Sequence, residues 1–108
     1  MTQKNQENRE RKIQEMQILE QNLQSLLFQK QAFQMELSET QSALSEIEKS
    51  GEDVFKIIGQ LMIKTEKGKV REELENKKKL LDLRTKSIEK QETSLAEKLD
   101  ELRKQVLE

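Results

Sequence analysis

This chain has no cysteine, no histidine and no proline, and neither tryptophan nor tyrosine. Each absence closes a class of function. Without Cys or His there is no thiolate or imidazole, which removes most nucleophilic, general-base and transition-metal chemistry, and the sequence predicts no catalysis, no metal site and no cofactor. No disulfide framework can form, which fits a reducing compartment, and the expectation is cytoplasmic. With three Phe as its only aromatics, the chain lacks the stacking platforms used to bind single-stranded nucleic acid. A net charge of -1 gives no electrostatic footprint for a polyanion. No apolar run approaches the ~18 residues that a membrane span needs. The first eight residues, Met-Thr-Gln-Lys-Asn-Gln-Glu-Asn, lack the apolar core of a signal peptide.

What remains is 32% hydrophobic and 38% charged over 108 residues, too little apolar volume for a sphere of this size. Low hydrophobicity also describes disordered chains. The near-zero net charge and the periodic placement of the apolar residues oppose that reading. Abundant Glu, Lys, Leu and Gln without Pro is the composition of long helices and coiled coils.

From Met16 to Ile47 one stripe holds Met16, Leu19, Leu23, Leu26, Phe33, Leu37, Leu44 and Ile47, with Lys30 and Thr40 filling its two gaps. Steps alternating between three and four make this a heptad seam of about four repeats. Upstream the same spacing lands on Lys12, Arg9 and Asn5, so the seam runs out. Ile13, Ile18, Leu27 and Phe28 lie off the stripe, either as ordinary surface residues or as apolar groups offered to something else.

A second heptad follows Leu74: Leu74, Leu81, Ile88, Leu95 and Leu102, accompanied by Lys78, Thr85, Glu92, Leu99 and Val106. Glu73–Lys77, Glu75–Lys79, Asp82–Lys86 and Asp100–Lys104 are spaced for i,i+4 support. The Lys77–Lys79 run belongs to a segment, 66–108, with twelve bases against eleven acids, and reads as a solvated face.

Between the arms lies the one stretch without helical character, Asp53–Thr65. Ser50-Gly51 is expected to end the first helix, with Gly51 in a left-handed cap. Gly59-Gln60 fits a two-residue type II′ turn, which pairs Ile58 with Leu61, Ile57 with Met62 and Lys56 with Ile63. One face then carries Val54, Ile58, Leu61 and Ile63, and the other Phe55, Ile57 and Met62. Helix continuing through Val54–Ile63 is the alternative, opposed by Gly59 and the β-branched residues. Thr65 is placed as the cap of the second helix with Glu66 in its first turn. A lone hairpin is marginal in water. Seven large side chains at ~1.5–3 kcal/mol each amount to on the order of 10–20 kcal/mol of gross burial. Association costs roughly 4–15 kcal/mol or more, so the hairpin can drive assembly.

The expected fold is therefore mainly α: a long antiparallel coiled-coil helical hairpin with a short β-hairpin at the connection. It forms one domain over 1–108, with the first helix over about 5–49, the hairpin over 53–65 and the second helix over about 67–106. Matched arm lengths put Leu44 near Leu74, Leu37 near Leu81, Leu23 near Leu95 and Met16 near Leu102, Phe33 opposite Thr85 and Leu26 opposite Glu92, with both free ends together at a tip away from the hairpin.

These residues resemble the prefoldin family, in its β class. Val54-Phe55-Lys56-Ile57-Ile58-Gly59 followed by Leu61-Met62-Ile63 is similar to the family's strand–Gly–strand segment. Gln29 to Thr40 (QKQAFQMELSET) and Leu83 to Glu92 (LRTKSIEKQE) resemble its two helices, most closely in archaeal members. A single hairpin suits the β class. The sequence stops at Glu108, short of the tail many members carry. The resemblance implies a hexamer of two α and four β subunits joined by β-barrels, with coiled coils as tentacles around a cavity. It implies a chaperone that holds unfolded client proteins at the tips without ATP and passes them to a group II chaperonin. Under this resemblance Ile13, Met16, Ile18, Leu19, Leu99, Leu102, Val106 and Leu107 are the candidate client contacts. Val54, Phe55, Ile57, Ile58, Gly59, Leu61, Met62 and Ile63 are the candidate subunit-assembly residues. A structural coiled-coil scaffold or tether without client binding is the competing reading.

Overall fold

The computed structural model describes residues 2–108. Four elements follow in order: α1 (Thr2–Lys49), β1 (Asp53–Ile58), β2 (Leu61–Glu66) and α2 (Lys67–Leu107). Two long helices thus flank a short antiparallel β-hairpin, the mainly α arrangement expected of two heptad arms around a β-branched insertion. The chain comprises two compact units. Ala32–Thr85 forms one, and the described residues through Gln31 together with Lys86–Glu108 form the other.

In the hairpin-bearing unit the buried positions follow the heptads. Ile47 and Thr40 of α1 and Leu81 of α2 are buried, with Leu81 only 2% exposed, while Phe33, Leu37, Leu44, Leu74, Lys78 and Thr85 are half-buried along the same stripes. The polar seam positions satisfy themselves locally. Thr40 Oγ1 donates to the Glu36 carbonyl and Thr85 Oγ1 to the Leu81 carbonyl, both at 2.8 Å. This i−4 back-bonding lets a threonine occupy a buried helical position without an unsatisfied hydroxyl. Phe33 lies under the Arg84 guanidinium, 5.9 Å from ring centroid to Cζ, a cation–π contact that covers a face otherwise left to solvent.

The other unit continues the pattern, with Leu26, Ile88 and Leu99 buried and Met16, Leu19, Leu23, Leu95, Leu102 and Val106 half-buried. Its two polar seam residues meet each other: Lys30 Nζ lies 2.9 Å from Glu92 Oε1, with the side chains 23% and 20% exposed. This pairing answers Glu92, the weak seam position of α2, because a charged partner compensates desolvation that an apolar neighbour cannot. Removing one member strands the other charge in the seam. Lys30→Met should therefore cost about 1–3 kcal/mol, and adding Glu92→Leu should recover most of it. Urea unfolding of the two single variants and the double variant at one protein concentration checks this. A double variant no more stable than Lys30→Met would refute it.

The junctions depart from the sequence reading in two ways. Gly51 does not adopt a positive φ; among the described residues only Gly59 does. The end of α1 is closed instead by Ser50, whose N–H and Oγ both donate to the Ile47 carbonyl (3.2 and 2.7 Å). Lys67 Nζ reaches back to the carbonyls of Ser50 (2.9 Å) and Glu48 (3.5 Å). A cation donating to the last carbonyls of a helix is favoured by the helix dipole. Thr65 and Glu66 belong to β2, not to a helix cap, and α2 starts at Lys67 without an acid in its first turn. Of the four expected i,i+4 pairs, the ion pairs present include Asp100–Lys104 (3.3 Å). Glu73 and Lys77 are each drawn to partners elsewhere in the unit, Lys56 and Glu36.

Candidate assembly and binding surfaces

The hairpin is built by its turn. Gly59 has φ +60° and Gln60 a negative φ, a combination that suits a type II′ turn and that L side chains adopt poorly at the first position. The register pairs Ile58 with Leu61, Ile57 with Met62, Lys56 with Ile63, Phe55 with Lys64, Val54 with Thr65 and Asp53 with Glu66. Directly opposed residues share a face, so Val54, Ile58, Leu61 and Ile63 lie on one side and Phe55, Ile57 and Met62 on the other. Both sides are open. Ile57 is 70% exposed and Met62 67%, and Phe55, Ile58, Leu61 and Ile63 are also exposed, whereas Val54 is half-buried.

Two ion pairs hold the hairpin in place. Lys64 Nζ lies 3.4 Å from Asp53 Oδ1 across the strands. Lys56 Nζ donates to Glu73 Oε2 of α2 at 2.9 Å. That hydrogen bond, reinforced by the charge of the same ammonium, holds the Glu73 carboxyl below its ordinary pKa; desolvation opposes this and Lys69 adds to it. A depressed carboxylate pKa means that the pair's contribution is present above the unfolded-state value and is lost as pH falls through the folded one. The face bearing Lys56 is thus the one tethered to α2. Apolar residues stay exposed on both faces, Ile58, Leu61 and Ile63 on this one and Phe55, Ile57 and Met62 on the other.

In the unit that holds the start of α1 and the end of α2, the eight candidate contact residues divide. Ile13, Ile18 and Leu107 are exposed, Leu107 to 79%, whereas Leu99 is buried and Met16, Leu19, Leu102 and Val106 are half-buried in the seam. Ile18, Leu19 and Leu102 come together with Glu15, Lys98, Glu101 and Gln105 around a groove of ≈ 390 Å³. Leu27 and Phe28 are exposed in the same unit. In the hairpin-bearing unit Met35, Leu80 and Leu83 are exposed as well. The sequence reading did not single these three out, although Met35 and Leu83 fall at the heptad position opposite the seam, where counting along each arm finds them.

Among the described residues no helix is long and apolar enough to cross a membrane. The hairpin thus carries two open apolar faces between two heptad helices.

Comparisons with known proteins agree on one group. The sequence profile described as prefoldin subunit matches residues 10–108. The prefoldin subunit beta of Thermococcus onnurineus is 44% identical over 89 residues, covering 81% of this chain and 77% of that protein. Its counterpart from Pyrobaculum arsenaticum is 41% identical over 86 residues, covering 78% of this chain and 69% of the relative. The crystal structure of the prefoldin beta subunit from Thermococcus strain KS-1 superposes with a TM-score of 0.85 at 38% identity, covering 92% of this chain and 89% of that one. With helix–hairpin–helix order, heptad seams and sequence in agreement over most of the chain, it belongs to the prefoldin subunit family, in its β class.

Proposed function

We propose that this chain is the β-type subunit of an ATP-independent holdase chaperone. In this reading the hairpins of several subunits, two of an α type and four of this type, join edge to edge and face to face into β-barrels in the cytoplasm. The helix ends hold non-native clients and release them to a group II chaperonin. The observation that carries the assembly half is the hairpin's two open apolar faces, an unstable arrangement for any chain left alone in water. Its free edges are further templates for strand pairing. The holding half is supported by exposed Ile13, Ile18 and Leu107 beside a half-open seam. Weak apolar contacts of this kind, repeated on several arms, gain strength through effective concentration.

The test is suppression of aggregation. A chemically denatured, aggregation-prone enzyme is diluted into buffer without nucleotide, in the presence of this chain assembled with an α-type partner, and light scattering is followed. The expected result is clear suppression near stoichiometric ratios. Removing residues 1–12 and 103–108 is expected to leave the assembly's mass otherwise intact and weaken suppression several-fold. A full assembly that leaves scattering unchanged favours the scaffold or tether reading instead.

A further inference from the structure

We infer that the groove formed by Ile18, Leu19 and Leu102 selects extended polypeptide segments in which an apolar side chain is flanked by lysine or arginine. This rests on the holdase reading and names the kind of segment its binding site prefers.

The two flanks of the seam at this end are unlike. On one, Glu20 and Arg103, both more than half exposed, approach across the helices to 3.9 Å as a pair of opposite charges. On the other, the facing heptad positions are occupied by Glu15 with Gln105 and by Asn22 with Lys98, which offer no pair of opposite charges. That open flank is where the groove lies. Its floor is aliphatic: Leu19 and Leu102 are half-buried seam residues, and Ile18 is 56% exposed beside them. Its volume of ≈ 390 Å³ falls in the range of pockets that bury small apolar groups.

The rim supplies the selectivity. Two carboxylates, Glu15 and Glu101, and one ammonium, Lys98, line the groove, and among the described residues none of the three is engaged in an ion pair within the chain. The neighbouring charges are already used: Asp100 by Lys104, and Glu20 by Arg103. An occupant therefore meets a local excess of one unpartnered negative charge around an apolar floor. Complementary charge at a rim speeds encounter and rejects like-charged partners while the apolar contact supplies holding. A cationic segment is accepted on this account, and an acidic one is opposed by Glu15 and Glu101.

Fluorescence anisotropy on the full chain tests this with two labelled peptides of equal length, each with a central Leu-Ile-Leu, one flanked by lysines and the other by glutamates. At low salt the lysine-flanked peptide is expected to bind about five-fold or more tighter, the modest preference that exposed charges support. Raising the salt to about 0.5 M should erase the difference by screening. Glu15→Gln with Glu101→Gln should bring the two peptides to parity, and Ile18→Ser should weaken both. All three side chains are exposed, so the helical signal in circular dichroism should not change. Equal binding of both peptides, lost in Ile18→Ser, would overturn the charge selectivity and leave the holdase reading standing. Binding indifferent to all three substitutions would place the site elsewhere and overturn the inference. No binding of either peptide, together with no suppression of aggregation, would remove the holdase reading as well.

Discussion

Replacing Ile57 and Met62 together by Asp is expected to abolish higher assembly while leaving the chain helical. The two residues sit directly opposite each other in the hairpin. They are 70% and 67% exposed, so neither supports the fold of its own chain to any great extent. Their loss removes about 3–6 kcal/mol of burial from an interface and places two charges where water has to leave. Each 1.4 kcal/mol is tenfold in affinity, so the expected weakening is a hundredfold or more. Native mass spectrometry with and without an α-type partner reads the result, and circular dichroism reads the helices. Two aspartates in opposed positions also repel within the hairpin. Ile57→Lys with Met62→Asp is the companion variant, since opposite charges there keep the strands paired but spoil the apolar face equally. A full-size oligomer from either variant would show that this face is not the joint.

Leu81→Ala is expected to be the most costly single truncation of the coiled coil. Leu81 is 2% exposed, the lowest among the buried hydrophobic residues. It lies in the seam of the hairpin-bearing unit, where the buried set is small: Ile47 and Thr40 in α1 and Leu81 in α2. Truncating a buried leucine costs about 2.7–5 kcal/mol through lost transfer energy and the cavity left behind. Alanine's better helix propensity returns only a few tenths of a kcal/mol. Two residues along, Leu83 is 66% exposed, and Leu83→Ala should stay within about 0.5 kcal/mol of the parent. Thermal unfolding compares the pair, at one protein concentration because subunit association shifts the midpoint. If Leu81→Ala unfolded no earlier than Leu83→Ala, the seam assignment itself would be wrong.

Much of the candidate site is legible in the sequence. The β-branched run and Gly59 located the hairpin, and period-2 alternation about a two-residue turn dictates which residues share a face. Nothing outside the hairpin was needed to read Ile57 opposite Met62. The helix ends were less legible. Met16, Leu19, Leu102 and Val106 carry the same heptad signal whether they zip the arms or stand half open, and spacing cannot measure exposure. Likewise Glu15 and Glu101 look like any solvated acids until the groove brings them around Ile18 and leaves them without partners.

The heptads by themselves determined that there are two long helices and which face of each is buried, and the β-branched run with Gly59 determined where the chain changes to strand. These follow from local geometry, since a 3.5-residue repeat and a 2-residue repeat cannot share a backbone conformation. The tertiary structure alone decided the charge partners and the junctions. Lys30 found Glu92 across the seam, Glu73 took Lys56 from β1 instead of Lys77 from its own helix, and Ser50 with Lys67 closed the end of α1 where the sequence predicts a left-handed Gly51. The physical reason is common to all three. A charge or an unpaired carbonyl is satisfied by whatever the fold brings within about 3 Å, and residues 17 to 62 positions apart in the chain become neighbours only once the arms have packed.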